Sequence, residues 1–211
     1  KVVDAIFQIQ GGYALVMLTQ NSLIGVRDPY GIRPLVIGKL DTSYVLASET
    51  CAFDIIGAKY VRDVENGEIV IITKNGIESI KPFPKLKERP CIFERIYFAR
   101  PDSIMGGKTV YTYRKNLGKQ LAIENKVKAD VVVPVLDSGV SAGLGFSQKS
   151  GIPLELGIIR SHYVGRTFIE PTQNIRQLGV KLKHSVNRSC IENQRVVLID
   201  DSIVRGTTAN K

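Results

Sequence analysis

The sequence predicts two fold classes in series: an antiparallel, β-rich α+β half over residues 1–90 and a parallel α/β half over residues 91–211. Three observations carry this. Residues 12–81 hold short β-like apolar runs punctuated by Gly, Asn and Asp. Residues 82–90 place Pro82, Pro84 and Pro90 among Lys and Glu, as linkers do. From residue 110 onward, a helical stripe and short apolar runs alternate, the order that builds a parallel sheet.

In chain order, strands are expected over Tyr13–Met17, Leu23–Arg27, Leu35–Gly38, Tyr44–Ala47, Glu68–Ile72 and Ile77–Lys81, with a short helix over Cys51–Gly57. Lys74-Asn75-Gly76 between the last two strands is a hairpin signal, because Asn and Gly tolerate positive φ. Arg27-Asp28-Pro29-Tyr30-Gly31 reads as a turn between core strands, braced by Arg27. In the second half, Val110–Lys126 carries apolar residues at 113, 117 and 121, a helical spacing. Val131–Val135 is a buried strand, and Asp137-Ser138 is placed to cap a helix running to about Ser150. Pro153–Ile159 and Arg195–Ile199 are further strands. Residues 160–188 between them lack a core pattern, which points to a binding loop or lid.

Composition narrows the function classes. Hydrophobic residues make up 44% of 211, enough for a real core. No apolar run approaches the length of a membrane span, and no signal peptide is visible in these residues. The net charge of +9 fits either nucleic acid or a small polyanion. Much of the excess lies in residues 160–188, with Arg160, Arg166, Arg176, Lys181, Lys183 and Arg188 against Glu170. That window has no continuous basic run and no series of stacking aromatics, so a small anion is expected and nucleic acid is not. The cysteines, Cys51, Cys91 and Cys190, form no CxxC pair and are too widely spaced for a disulfide framework. A reducing, cytoplasmic setting fits them. His162 and His184 lack metal-ligand spacing and read as loop residues. The chain starts at Lys1 beside an apolar segment and stops at Lys211 where a helix is expected to run on, which reads as an internal piece of a longer protein.

The chemistry concentrates in Val196-Val197-Leu198-Ile199-Asp200-Asp201-Ser202-Ile203-Val204-Arg205-Gly206-Thr207-Thr208. Four apolar residues predict a strand buried on both faces. Two carboxylates follow at its carboxyl end, the usual ligand position in an open parallel sheet. A loop containing Gly and two Thr then offers N–H groups and hydroxyls to an anion. Paired carboxylates in that place suit a sugar diol or a magnesium-bound polyphosphate. The string resembles the phosphoribosylpyrophosphate (PRPP) motif of type I phosphoribosyltransferases.

Four further stretches extend the resemblance: Arg27-Asp28-Pro29-Tyr30-Gly31-Ile32-Arg33-Pro34-Leu35, Ala47-Ser48-Glu49-Thr50, Tyr97-Phe98-Ala99-Arg100-Pro101-Asp102-Ser103 and Arg160–Pro171. Together with the PRPP motif they resemble, in order and over nearly the whole chain, the glutamine PRPP amidotransferases (amidophosphoribosyltransferases). The resemblance implies the later part of an N-terminal-nucleophile glutaminase sandwich in residues 1–90. It implies the first part of a type I phosphoribosyltransferase domain in residues 91–211. The implied reaction makes 5-phosphoribosylamine from PRPP and glutamine-derived ammonia, the first step of purine synthesis. The family's nucleophile is a Cys at the mature N-terminus; none of the three cysteines matches it, so the residues present are expected to lack glutaminase activity.

Site residues carry over by the same resemblance. Asp200 and Asp201 match the acidic pair that holds the ribose hydroxyls and magnesium. Ser202, Val204, Arg205, Gly206, Thr207 and Thr208 match the loop around the 5-phosphate. Arg166, Thr167 and Lys183 fall in the loop that closes over PRPP. Ser138 matches a hydroxyl associated with metal and pyrophosphate, with Leu136 where the family usually has Pro. Cys91 lies where some members place one ligand of a [4Fe–4S] cluster, which needs four thiolates; this chain has no second candidate. A homo-oligomer is expected. Two rivals stand beside this reading: a base-salvage phosphoribosyltransferase without a glutaminase, and a non-enzymatic PRPP-sensing regulator. The β-rich first half argues against both.

Overall fold

A computed structural model describes residues 1–161 and 184–203. The chain forms two compact units, Lys1–Thr109 and Val110–Lys211. The division therefore falls beyond the 90/91 boundary expected from the Pro-rich stretch. The stretch after Tyr30 explains the shift. The N–H groups of Arg89 and Cys91 donate to the carbonyls of Tyr30 and Ile32 at 2.9 and 3.2 Å, tying the segment back to the first unit.

In the first unit, β1 (Ala14–Leu18), β2 (Leu23–Arg27), β6 (Ile69–Thr73) and β7 (Gly76–Ile80) form one antiparallel sheet in the order β1-β2-β6-β7. A second antiparallel sheet has the order β4-β3-β5, from β3 (Val36–Leu40), β4 (Ser43–Ala47) and β5 (Lys59–Asp63). Alternation assigns the faces. Ile24, Val26 and Ile69 join Tyr13 and Ile6 in one cluster, with Val2 and Val3 packed on it. This places α1 (Val2–Ile6) on the outer face of the first sheet. Val70 turns the other way and packs with Leu35, Ile37 and Val64, flanked by Leu46 and Tyr44. Ile37, Leu46 and Tyr44 belong to the second sheet, so the two sheets pack face to face. Phe53 of α2 (Cys51–Ile56) lies directly against Gly38 on the far side of β3. The first unit is thus helix, sheet, sheet, helix.

Six of the expected strands and the α2 helix occur within two residues of their expected bounds. The unexpected elements have weak patterns: α1, the charged strand β5, a π-helical turn Glu94–Phe98, and the two-residue strands β8 (Ile104–Met105) and β9 (Lys108–Thr109). The β6–β7 hairpin closes with Thr73 opposite Gly76, so Lys74-Asn75 form the turn and Gly76 takes φ of 125°.

The second unit is built on β10 (Val131–Pro134) and β13 (Val196–Ile199), which pair in parallel from Val131↔Val196 to Pro134↔Ile199. Leu154 adds a parallel bridge to Val132 on the other side. The helices α3 (Val110–Glu124) and α4 (Val140–Ser150) cover one face. There Ala122, Phe146, Val132 and Ile199 form the core with Val197 and Leu154 beside them. Three expectations need correction. Residues 153–159 are not one strand: after the bridge at Leu154 the chain leaves the sheet, and β11 (Ile158–Arg160) pairs antiparallel with β12 (His184–Val186). His184 therefore opens a strand rather than lying in a loop. Nor is β13 buried on both faces, since Val196 is 40% and Leu198 43% exposed. The helices cover only the side of Val197 and Ile199. On the opposite side, Gly157 and Ile191 of α5 (Arg188–Ile191) cover Val133 of β10 and leave β13 bare.

Candidate functional site

The parallel pairing of β10 and β13 brings their carboxyl ends together, the place where open α/β sheets bind ligands. The Val135 N–H donates to the Ile199 carbonyl at 2.8 Å, one residue beyond the ladder. The turn from β10 to α4 then lies against the end of β13. Gly139 permits this approach, because a Cβ there would overlap the Ile199 carbonyl oxygen. Its importance was not signalled by the sequence, where it reads as an ordinary helix-start glycine. Ser138 sits half-buried in this turn. It is not the helix cap expected of Asp137-Ser138: the N-cap is Gly139, with no side-chain cap hydrogen bond. The Asp137 carboxylate is instead engaged by Arg160 of β11, an ion pair that sequence spacing could not reveal.

Asp200 and Asp201 follow Ile199 directly, and both are half-buried. The Asp201 N–H donates to Asp200 Oδ1 at 2.9 Å, and the Ser202 hydroxyl donates to Asp201 Oδ1 at 2.7 Å. The other oxygen, Asp201 Oδ2, is buried and has no hydrogen-bond partner among the described residues. A buried carboxylate oxygen without a donor is costly unless something supplies a proton or a cation. At the opposite end of the two strands, Arg195 clamps Asp130 through Nε and Nη2 at 2.9 and 2.7 Å. That clamp and the Arg195 N–H hold the Asp130 carboxyl down at about 2. The register that delivers Asp200 is thereby fixed from both ends.

The donor set fits one hard cation. Oxygen ligands suit magnesium, which keeps several waters and shares substrate phosphates rather than requiring a full protein cage. Among the described residues no group of three or more His, Cys, Asp or Glu gathers. Three cysteines cannot supply the four thiolates of an iron–sulfur cluster from this chain alone. Cys91 is half-buried in the first unit, Cys51 is buried in its core, and Cys190 is on α5 of the second unit. Val204, Arg205, Gly206, Thr207, Thr208, Arg166, Thr167 and Lys183 lie outside the described residues. The structure does describe the base of the segment that carries the last three, where Arg160 pairs with His184.

In the first unit, Arg27 and Asp28 prove structural. Asp28 is fully buried, and its carboxylate accepts the N–H groups of Tyr30 and Ile32 at 3.0 and 3.1 Å and that of Arg33 at 3.0 Å. Arg27 donates to the carbonyls of Arg33, Val64 and Gly31 at 2.9, 2.8 and 3.3 Å. Every one of these groups is spent on turn backbone.

Comparison with known proteins shows what the chain is similar to. The chain is 61% identical over 216 residues to the amidophosphoribosyltransferase of Rhizobium etli, covering 100% of this chain and 44% of that protein. The chain is similar to amidophosphoribosyltransferases along its whole length. It is 52% identical over 212 residues to the chloroplastic amidophosphoribosyltransferase 1 of Arabidopsis thaliana, covering 38% of it. Against the Bacillus subtilis amidophosphoribosyltransferase it is 48% identical over 211 residues. A solved structure of the glutamine PRPP amidotransferase from B. subtilis, complexed with ADP and GMP, superposes with a TM-score of 0.91 at 48% identity. The match covers 99% of this chain and 46% of that one. The chain thus spans less than half the length of these amidophosphoribosyltransferases. No protein-family model matches it. No helix among the described residues is long and apolar enough to cross a membrane.

Proposed function

We propose that this chain belongs to an enzyme that makes 5-phosphoribosylamine from PRPP and glutamine-derived ammonia, the entry step of purine synthesis. The observation that carries the reading is identity spread over the whole chain, 61% and 48% in two bacterial relatives, to proteins named for that activity. Residues 1–90 are then the later part of a glutaminase domain and residues 91–211 the start of the transferase domain. The relatives above carry the amidophosphoribosyltransferase name, not that of a base-salvage transferase or a regulator.

In this reading Asp200 and Asp201 hold the two ribose hydroxyls, and Asp201 Oδ2 obtains the partner it lacks. Ser202, Val204, Arg205, Gly206, Thr207 and Thr208 surround the 5-phosphate with N–H groups and hydroxyls. Arg166, Thr167 and Lys183 face the pyrophosphate. Ser138 and the two aspartates hold magnesium, whose charge offsets that of the leaving group. Ammonia's lone pair forms the new bond to C1 as the C1–O bond to pyrophosphate breaks, and the surplus proton goes to solvent. No protein nucleophile is needed for that step. The side chains orient the sugar, stabilise charge and exclude water. A [4Fe–4S] cluster with Cys91 as one ligand requires three thiolates from elsewhere in the complete protein. Homo-oligomeric assembly and a cytoplasmic location complete the proposal.

The test uses the complete protein with PRPP, magnesium and ammonium salt. Ammonium-dependent release of pyrophosphate, with phosphoribosylamine formed in equal amount, supports the reading. Pyrophosphate release that depends on a purine or pyrimidine base, with ammonium inert, refutes it in favour of salvage.

A further inference from the structure

Asn-Gly occurs twice in the sequence, as Asn66-Gly67 and Asn75-Gly76, both in the first unit. The pair has a chemistry of its own. The backbone nitrogen that follows an Asn can attack the side-chain amide carbon, and Gly, with no Cβ, hinders that approach least. The sequence treats the two pairs alike. The structure does not.

Gly67 is buried, and its N–H, the attacking group, donates to the Asp28 carbonyl at 3.0 Å. Its backbone lies under Phe83 and Pro29, which a Cβ would meet at 3.3 and 3.5 Å. Asn66 is half-buried, with its side-chain amide directly against Gly31. Gly31 belongs to the turn that the buried Asp28 carboxylate fixes through the N–H groups of Tyr30, Ile32 and Arg33. To bring the Gly67 nitrogen onto the Asn66 amide, a sheltered hydrogen bond must break and the amide must leave this turn.

Asn75-Gly76 sits at the tip of the β6–β7 hairpin, where Thr73 and Gly76 are the last opposed residues. Asn75 is exposed, and its own N–H donates to Thr73 Oγ1 at 3.1 Å. Gly76 has a φ of 125°, and a Cβ there would meet nothing within 4 Å. β7 is an edge strand of its sheet, and Glu78, Ser79 and Ile80 on it are exposed. A hairpin tip on an edge strand opens at little cost, so the Gly76 nitrogen reaches the amide without disturbing the core.

We propose that Asn75 is a site of spontaneous deamidation and that the fold protects Asn66 from the same reaction. The inference stands apart from the reading under Proposed function. The Gly76 nitrogen bonds to Asn75 Cγ, the Cγ–Nδ2 bond breaks, and the amide nitrogen leaves as ammonia with the proton of the Gly76 N–H. The product is a five-membered succinimide, and water opens it. Cleavage of its nitrogen bond to Cγ gives aspartate. Cleavage of its nitrogen bond to the backbone carbonyl carbon gives isoaspartate, whose main chain runs through the side chain and is one carbon longer. Either product sets a carboxylate beside Lys74. Isoaspartate also lengthens a two-residue turn and breaks the pairing of Thr73 with Gly76.

The experiment incubates the complete protein in mildly alkaline buffer below its unfolding temperature. Samples are digested in acid, where the reaction is slow, and the peptides holding Asn66 and Asn75 are followed by mass. Each conversion exchanges an amide for an acid, and fragmentation separates aspartate from isoaspartate. A parallel sample in urea, where the fold is lost, converts both sites at similar rates. In the folded protein Asn75 converts at least about 10-fold faster than Asn66, the factor that one sheltered hydrogen bond sets. In N75Q the ring would need six members, and the mass change in that peptide disappears. Equal rates at the two sites of the folded protein overturn the proposal, because the sequence alone would then govern the chemistry. An Asn75 that keeps its amide in the folded protein does the same. A mass change that persists in the N75Q peptide refutes the site.

Discussion

Replacing Asp200 and Asp201 together by Asn removes both charges at the end of β13 while keeping nearly the same shape. Two consequences with opposite signs follow. For binding in the proposed site, each carboxylate would lose a charge-assisted bond to a ribose hydroxyl or to magnesium, worth about 1.5–3 kcal/mol. Two such losses amount to roughly 3–6 kcal/mol of transition-state stabilisation, or about 10²–10⁴ in kcat/KM. For folding, the change is neutral or favourable. Asp201 Oδ2 is buried without a donor, and an unsatisfied group of that kind costs about 1–3 kcal/mol. The amide that replaces it carries no charge to desolvate. The assay pairs ammonium-dependent synthesis in the complete protein with its thermal unfolding. The expected double mutant is inactive and at least as stable as wild type. Near-normal turnover refutes the placement of PRPP at this strand end. Lost activity accompanied by lower stability refutes the idea that the pair is a ligand site held open at the fold's expense.

Three further outcomes test the scaffold. Glu68 is fully buried. Burial alone would raise its carboxyl, but bonds from Arg62, Ser79 and the Glu65 N–H outweigh it and hold it below the ordinary range. A folded value below the unfolded one gives stability that is present above the ordinary carboxylate range and lost as pH falls. Glu68→Gln should thus flatten the acid side of the first unit's denaturation profile. It should cost on the order of 2 kcal/mol at neutral pH, since the Arg62 side chain it leaves is 38% exposed and finds water. Glu94 has the reverse sign. Burial raises its carboxyl, Arg33 opposes this, and Glu49 adds to it, so stability falls as pH rises from the ordinary carboxylate range to the raised value. Glu94→Gln should remove that fall, and urea titrations at a series of pH values detect it. Gly145→Ala should destabilise the second unit by about 3 kcal/mol, because its Cβ would overlap the Lys115 carbonyl where α4 crosses α3; an unchanged urea midpoint contradicts that crossing.

What the sequence disclosed, and what it hid, follows one physical division. Period-2 runs ending in turn residues located β1, β2, β3, β4, β6 and β7, because local pattern and burial agree there. The strand β5, Lys-Tyr-Val-Arg-Asp, was missed since it is largely exposed and its alternation is charged. Val196–Ile199 reads as apolar throughout, yet only the side of Val197 and Ile199 meets the helices, a tertiary fact no window contains. The PRPP string put Asp200 and Asp201 at a strand end, and β13 ends there. Gly139 and the Asp137–Arg160 pair were invisible. Each depends on residues far apart in sequence, or on close approach of two backbones.

The acidic side chains of this protein show why partner counting separates scaffold from site. Asp28 is fully buried, and its two oxygens accept three backbone N–H groups, which spends it on the turn before Arg33. Glu68, equally buried, is filled by a bidentate Arg62, the Ser79 hydroxyl and the Glu65 N–H. A carboxylate completed in this way has no capacity left for a substrate, whatever motif it sits in, and that is why Arg27-Asp28 is a brace rather than a catalytic pair. Asp201 is the contrast: one oxygen is engaged by Ser202 next door, and the other is buried and open. Asp28 and Glu68 are completed inside the first unit, whereas Asp201, at the carboxyl end of a parallel strand, keeps a buried oxygen with no partner among the described residues, which supports its proposed role toward a ligand that brings its own donors or charge. A diol with magnesium brings both.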